Sequence, residues 1–399
     1  ITTEDRNVYK VLTLNQISVK GLDRFPRDGY EVASEIGHPD AILLRSHKLS
    51  MDEIPDTVVG IGRAGAGTNN IQVAQCTQRG IPVFNAPGAN ANAVKELVAA
   101  ALLLGSRGIV EGIDYVGTLA EMTDEAELNK LLEAQKKQFK GSELTGKTLG
   151  VVGLGAIGSL VADMALTLGM DVCGYDPALS VEAAWRLSSR VKKVDALASL
   201  FARCDFITLH LPVLDATRGL VNSELLQGVK PGTCLLNFAR KEIVDTGAIV
   251  ESLEAGGLRQ YITDFPEPNL IGRKDAILMP HIGASTDEAE ENCAIMAADQ
   301  LRDLLENGNI RNSVNFPNLQ LEPSEGVRLA ISNENIAGML GNLLSILADE
   351  NLNVIDMLNK SRDNIAYTLL DVEECPSDAV LGKMRAVEGV INVRVLGCG

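Results

Sequence analysis

The chain has 399 residues, 46% hydrophobic and 22% charged, enough for two or three domains that each bury a core. Lys and Arg total 36 against 53 Asp and Glu, a net charge of −17. An average field of that sign repels phosphate, so neither nucleic acid nor an anionic membrane is an expected partner, and any anion site must gather its cations locally.

From Val8 to about Phe84, short β-rich runs alternate with helical stretches. VYKVLTLN, AILLRS, TVVGIG and IPVFNA read as buried parallel strands, being apolar, short and bounded by Gly or Pro. A helical pattern covers Asn92 to Gly108, followed by a polar segment to Phe139. A second β/α run opens at Lys147 with TLGVV, MDVCGY, DFITLHL, TCLLNF, LRQYIT and AILMP. Such alternation implies right-handed βαβ units and a parallel sheet covered on both faces. Ser285 followed by Glu288 is a capping-box signature for a helix to about Leu305, stopping near Gly308. NSVNFPNLQLEPSEG (312–326), with Pro317, Pro323 and Gly326, reads as a linker. Beyond it the rhythm becomes strand (VRLAIS), helix (Gly338–Asp349), strand (NVIDMLN), strand (IAYTLLDVE), helix (Ser377–Val387), strand (INVRVLG). That βαββαβ order is the ferredoxin-like arrangement, here a regulatory or assembly module.

The longest strongly apolar stretch, near Leu97–Leu104, is too short to span a bilayer, and the opening ITTEDR has no signal-peptide pattern. Seven cysteines, at 76, 173, 204, 234, 293, 375 and 398, form no C-x-x-C pair, so neither a zinc knuckle nor a disulfide framework is indicated. A soluble, cytoplasmic protein with no metal is expected.

Gly153, Gly155 and Gly158 form G-x-G-x-x-G. The motif follows an expected strand, opens an expected helix, and sits in a βαβ unit ending in Asp176, 18 positions after the last glycine. That is the context a dinucleotide fingerprint requires. The glycines permit the tight turn, and the helix N-terminus presents N–H groups to a pyrophosphate. Asp176 would accept from the ribose hydroxyls and repel a ribose phosphate, which favours NAD over NADP. In open α/β sheets ligands sit outside the carboxyl ends of the strands. Those positions hold Arg45, Ser46, Arg63, Arg240, Asp264, Glu267 and His281, expected to share one crevice and to supply the local cationic cluster. Oxidising a secondary alcohol needs a base, and His281 can take the proton. Glu267 would hold the imidazole. Arg240 offers a fork to a substrate carboxylate. Asp264 lies where it would fix the nicotinamide carboxamide.

These residues, with RAGAGTNN (63–70), RGIPVFNAPGANANAVKELV (79–98), GLGAIG (153–158), LHLP (209–212), NFARKEIVD (237–245), TDFPEP (263–268) and PHIGASTDEAEEN (280–292), give a chain that resembles the D-isomer-specific 2-hydroxyacid dehydrogenases, and among them the branch that oxidises 3-phosphoglycerate in serine synthesis. The resemblance implies a Rossmann-type doubly wound nucleotide domain (98–282) inserted in a flavodoxin-like substrate domain (1–97 and 283–314). A linker (315–325) and a ferredoxin-like module resembling an ACT domain (326–399) would follow. It implies catalytic Arg240, Glu267 and His281. NAD contacts would come from Gly153, Gly155, Ala156, Ile157, Gly158, Asp176, His210, Pro212, Phe238, Ala239, Arg240, Asp264, His281, Gly283 and Ala284. Substrate carboxylate and phosphate would fall to Arg45, Ser46, Arg63 and Lys136. Asn333 and Asn335, with Asn353 of a neighbouring chain, would hold L-serine as an inhibitory effector, in a homodimer or homotetramer. The loop from Asp264 to Glu267 is shorter than in many relatives, and the ACT turn lacks their histidine and proline–glycine pair. The alternatives are another D-2-hydroxyacid dehydrogenase, reducing glyoxylate or hydroxypyruvate, and a non-catalytic NAD-sensing scaffold.

Overall fold

The computed structural model describes residues 8–397, so the ITTEDR segment and Cys398 lie outside the described residues. The chain divides into two compact units. One runs up to Asn90 and resumes at Asp287; the other, Ala91–Thr286, is inserted within it. The boundaries differ from the expected 97 and 283 because the whole of helix Ala91–Ser106 packs with the inserted unit, where Val94, Val98, Ala101 and Leu102 join its core.

In the first unit β1 (Tyr9–Leu14), β2 (Tyr30–Ala33), β3 (Ala41–Leu44), β4 (Gly60–Arg63) and β5 (Val83–Phe84) form a parallel sheet in the order β2-β1-β3-β4-β5, the flavodoxin-like sequence of strands. All four residues of β3 are buried, which is why its sequence is continuously apolar rather than alternating. Edge strand β2 escapes the sequence reading because YEVA is only partly buried and carries a charge.

The inserted unit holds β6 (Thr148–Val152), β7 (Asp171–Tyr175), β8 (Lys192–Lys193), β9 (Phe206–Leu209), β10 (Thr233–Asn237), β11 (Leu258–Thr263) and β12 (Ala276–Leu278). They make one parallel sheet, β12-β11-β10-β9-β6-β7-β8, whose order reverses between β6 and β9. This is the doubly wound arrangement, and the reversal marks its ligand crevice. The polar segment before β6 is not a loop. It contains helices Ile109–Gly117 and Glu125–Gln135, the second started by the Asp124 carboxylate accepting from the Glu127 amide at 2.8 Å. Neither helix buries a residue in this chain: Ile109, Ile113 and Val116, and Leu128, Leu131 and Leu132, recur at helical spacing but stay outside the core.

The C-terminal part returns to the first unit. β13 (Val327–Glu334), β14 (Val354–Arg362), β15 (Ile365–Val372) and β16 (Val390–Leu396) form an antiparallel sheet in the order β14-β15-β13-β16, the ferredoxin-like topology. Helices Met339–Asp349 and Asp378–Arg385 cover one face through Leu343, Leu347, Val380 and Met384. The other face is also covered. Ala330, Tyr367, Leu369 and Leu396 share a core with Leu301, Leu304 and Leu305 of helix Asp287–Asn307.

The linker 315–325 is packed rather than free. Phe316 and Leu319 are buried in the same core, Leu319 pairs with Ile310, and the Asn315 side chain bridges Val83, Ile81 and Thr77. Proline and glycine there forbid a helix or strand; they do not keep the apolar side chains between them in water.

The docking is polar as well as apolar. The last carbonyls of a helix have no partner within it. Those of Leu304 and Leu305 accept from Arg394, at 3.4 to 3.5 Å. The Asn307 carbonyl accepts from Arg328 at 3.1 Å, and that of Gly308 from the Tyr367 hydroxyl at 2.7 Å. Arg328 is itself paired with Asp371 inside the sheet. Cys76, Cys173, Cys204, Cys234 and Cys293 are free and buried, whereas Cys375 is disulfide-bonded. No helix of the described residues is long and apolar enough to cross a membrane.

Candidate active site

The glycine-rich loop leaves β6 and enters helix Ala156–Thr167. Its three glycines do different work. Gly153 has φ +90°, and a Cβ there would lie 2.5 Å from the His210 carbonyl oxygen; one on Gly158 would lie 1.9 Å from the Gly153 carbonyl. Both are fixed by packing. Gly155 has φ −69° and nothing within 4 Å of an added Cβ, so the fold itself does not demand it. An open glycine at the start of a twelve-residue helix, beside N–H groups without intrahelical partners, is a cradle fit for a pyrophosphate. Ala156 and Ile157 begin that helix.

Asp176 follows β7, half-buried, and accepts from the Leu154 amide at 2.8 Å and the Ala178 amide at 3.0 Å. The acid thereby braces the loop and keeps free lone pairs toward a ribose diol. His210 follows β9; Thr208 Oγ1 lies 2.9 Å from its Nε2, and its Nδ1 is buried without a partner. Burial holds its pKa down at about 3, so the ring is neutral and belongs to the loop's support, while Pro212 just beyond it is exposed. The loop, the acid and the switch point together fit a dinucleotide.

Four further site residues lie at the ends of β10, β11 and β12. Asn237, fully buried, shapes the first end. Its Oδ1 accepts from Ala239 N at 3.1 Å and its Nδ2 donates to the Arg240 carbonyl at 2.9 Å, with Phe238 and Ala239 buried between. Arg240 is left half-buried, its Nη1 donating to the Ala239 carbonyl at 2.6 Å.

Asp264 also has a role within the chain. It is 2% exposed, and its two oxygens accept from the Ile282 amide at 2.8 Å and the Gly283 amide at 2.7 Å. A carboxylate so committed pins the turn that carries His281, with Ala284 next along it. His281 sits at φ +59°, a left-handed conformation a non-glycine residue holds only when its surroundings enforce it. Its ring is exposed, set at a 55° tilt against Phe265 with 4.9 Å between centroids, and makes no hydrogen bond among the described residues.

Glu267 does not hold the imidazole. Its Oε1 accepts from the Thr246 hydroxyl at 2.6 Å, and no ion pair joins it to His281. Only Phe265 and Pro266 separate Asp264 from Glu267, and that short span leaves the carboxylate facing the start of helix Thr246–Glu254.

In the first unit Arg45 and Arg63 close adjacent strands β3 and β4. Arg63 Nε donates to the Arg45 carbonyl at 3.1 Å, and Arg45 is ion-paired with Glu290. The Arg45–His47 turn is held from outside the motif. Asn15, at φ +73°, accepts from the Ser46 and His47 amides at 3.0 and 2.5 Å, and Asn70 donates to the Arg45 and His47 carbonyls at 3.1 and 2.7 Å. Lys136, on a short exposed 3-10 turn of the other unit, is ion-paired with Glu133 and bonded to none of the 237–284 residues.

Of the expected effector residues, Asn333 is 2% exposed with Oδ1 unpartnered, while its Nδ2 donates to the Glu334 carbonyl at 2.7 Å. Asn335 is exposed and donates to the Asp363 carbonyl at 3.1 Å; Asn353, at the start of β14, donates to Glu373 at 2.8 Å. Asn15, Asn70, Asn237 and Thr246 went unnoticed in the sequence. Each is a polar residue near the end of an apolar run or the start of a helix, a signal that does not reveal what it bonds.

Fold and loop define a dinucleotide-dependent dehydrogenase of the doubly wound class. Residues 113–283 match the D-isomer specific 2-hydroxyacid dehydrogenase NAD-binding domain. The D-3-phosphoglycerate dehydrogenase of Haemophilus influenzae is 34% identical over 402 residues, covering 96% of this chain and 93% of that one. That of Escherichia coli K12 is 32% identical over 422 residues, 98% of each. Among solved structures, an NAD+-bound 3-phosphoglycerate dehydrogenase from Entamoeba histolytica aligns with TM-score 0.60 and 28% identity, over 77% of this chain and 99% of that one. The chain belongs to the D-isomer specific 2-hydroxyacid dehydrogenase family.

Proposed function

We propose that the protein oxidises 3-phospho-D-glycerate to 3-phosphohydroxypyruvate with NAD, the step that opens serine synthesis by the phosphorylated route. The observation that carries this reading is the presentation of His281, an exposed imidazole held in a left-handed turn by buried Asp264, on the same sheet as the glycine-rich loop. NAD, when bound, accepts the hydride from C2 of the substrate. His281 takes the hydroxyl proton as the C2 carbonyl forms. Arg240 pairs with the substrate carboxylate and favours negative charge developing on the C2 oxygen. Glu267, anchored on Thr246, stabilises the imidazolium once substrate is in place, since catalytic hydrogen bonds commonly tighten only in the complex.

The phosphate is assigned to Arg45 and Arg63 with Ser46, and Lys136 remains a further candidate cation. A substrate carrying carboxylate and phosphate makes a second cationic anchor worthwhile, which separates this reading from a glyoxylate or hydroxypyruvate reductase. The ferredoxin-like module is read as an ACT domain. L-serine would be held by Asn333 and Asn335 with Asn353 of a second copy, in a homodimer or homotetramer.

A steady-state assay with NAD against phosphorylated and plain 2-hydroxy acids, with and without serine, tests all of this. His281→Ala is expected to abolish turnover and leave NAD binding nearly intact; unchanged turnover removes His281 as the base. If Arg63→Ala raises KM for 3-phosphoglycerate no more than for glycerate, the phosphate assignment fails.

A further inference from the structure

Arg45 does not stand as an unopposed cation. Arg63, which ends β4 opposite Leu44 of β3, donates from Nε to the Arg45 carbonyl at 3.1 Å, so the ends of the two strands are tied together. Gly65 leaves the space that the Arg63 guanidinium occupies. One carboxylate comes onto the pair from a third element. Glu290, in the first turn of helix Asp287–Asn307, places Oε1 on Arg45 Nη2. One turn further along that helix, the buried Cys293 thiol feels all three groups. Burial raises its pKa most, Arg63 and Arg45 lower it, and Glu290 raises it. Arg45, Arg63 and Glu290 therefore all act on the surroundings of Cys293.

The carboxylate is held there loosely. The Arg45 and Glu290 side chains are 41% and 38% exposed, so water and solutes reach the pair. Glu290 is also stabilised without Arg45, because an acid in the first turn of a helix is favoured by the helix dipole. A carboxylate and a phosphate compete for the same guanidinium fork, and the phosphate brings more charge and more acceptor oxygens.

We propose that Glu290 is a displaceable counter-ion of the anion site. It occupies Arg45 in the absence of substrate, yields it to a dianionic group, and so tempers the preference for phosphorylated over plain hydroxy acids. The inference rests on Arg45 taking the substrate phosphate.

Glu290→Gln keeps the shape and removes the charge. The expected result is a KM for 3-phosphoglycerate lower by about two- to fivefold, the range of an exposed ion pair. KM for D-glycerate stays within error, and the change vanishes in an Arg45→Ala background. Glu291→Gln is the control. It removes the same charge one residue away, where the acid pairs with Lys20 at 2.6 Å, and should leave KM unaltered. Equal effects of the two substitutions would assign the change to net charge and overturn the proposal. A raised KM in Glu290→Gln would make Glu290 a brace for Arg45 and overturn it as well. If Arg45→Ala alone leaves KM for 3-phosphoglycerate unchanged, it is the phosphate reading that fails.

Discussion

Asp264 and Gly283 stand 19 residues apart and are joined directly, the buried carboxylate accepting from the Gly283 amide at 2.7 Å while its other oxygen takes the Ile282 amide. The geometry of the His281 turn is thus decided by the end of a neighbouring strand. Asp264→Ala leaves the buried Gly283 amide and the part-buried Ile282 amide without their partner. It should cost about 2–3 kcal/mol of stability and, by letting His281 drift, lower kcat about a hundredfold. Thermal unfolding and turnover measured together check this; a stable variant with normal kcat would reject the clamp.

The glycines of the loop should separate by function. Gly158→Ala drives a methyl toward the Gly153 carbonyl and is expected to unfold the loop, with a lower Tm. Gly155→Ala meets nothing and should keep wild-type Tm, yet weaken NAD binding about tenfold or more by filling the cradle. Parallel Tm and NAD titrations distinguish the two, and unaltered NAD affinity in Gly155→Ala would show that the open face does not serve the cofactor.

Stability should depend on pH through His210. Its folded pKa lies near 3, below the ordinary 6.5, because burial disfavours the charged ring. The unfolded chain therefore binds the extra proton between those values. The contribution is complete above pH 6.5 and is lost as pH falls toward 3. Urea unfolding from pH 8 to 5 should show the loss, with a limiting slope of about 1.4 kcal/mol per pH unit. His210→Asn should flatten the slope by one proton.

Removing residues 327–399 should not yield an active enzyme blind to amino acids. It would uncover Phe316, Leu319 and Leu304 and strip Arg394, Arg328 and Tyr367 from the last carbonyls of helix Asp287–Asn307. Aggregation or a much reduced Tm is expected. Tyr367→Phe, which deletes only the hydroxyl on Gly308, should cost about 1 kcal/mol. A soluble truncation with wild-type Tm would restore the picture of a tethered tail.

The difference between Gly155 and its two neighbours also shows how far a motif speaks. G-x-G-x-x-G, the strand before it and the acid after it sufficed to place the nucleotide sheet, because tight turns and helix starts are local constraints written in adjacent residues. Short apolar runs likewise marked β3, β9 and β10, whose side chains are all buried. Partly buried or exposed elements stayed hidden: β2 and β8 are short edge strands, and the two helices between Gly108 and Phe139 bury no residue in the core.

The sequence by itself determined the fold class, the cofactor loop and which residue types end the strands, since each depends on neighbours in the chain. Only the tertiary structure decided what those residues touch. It gave Asp264 to the His281 turn and Glu267 to Thr246, set Glu290 on Arg45, and sank the segment around Phe316 into the core. A hydrogen bond or an ion pair is fixed by where separate elements pack, and partners 20 or 245 residues apart leave no trace in local spacing.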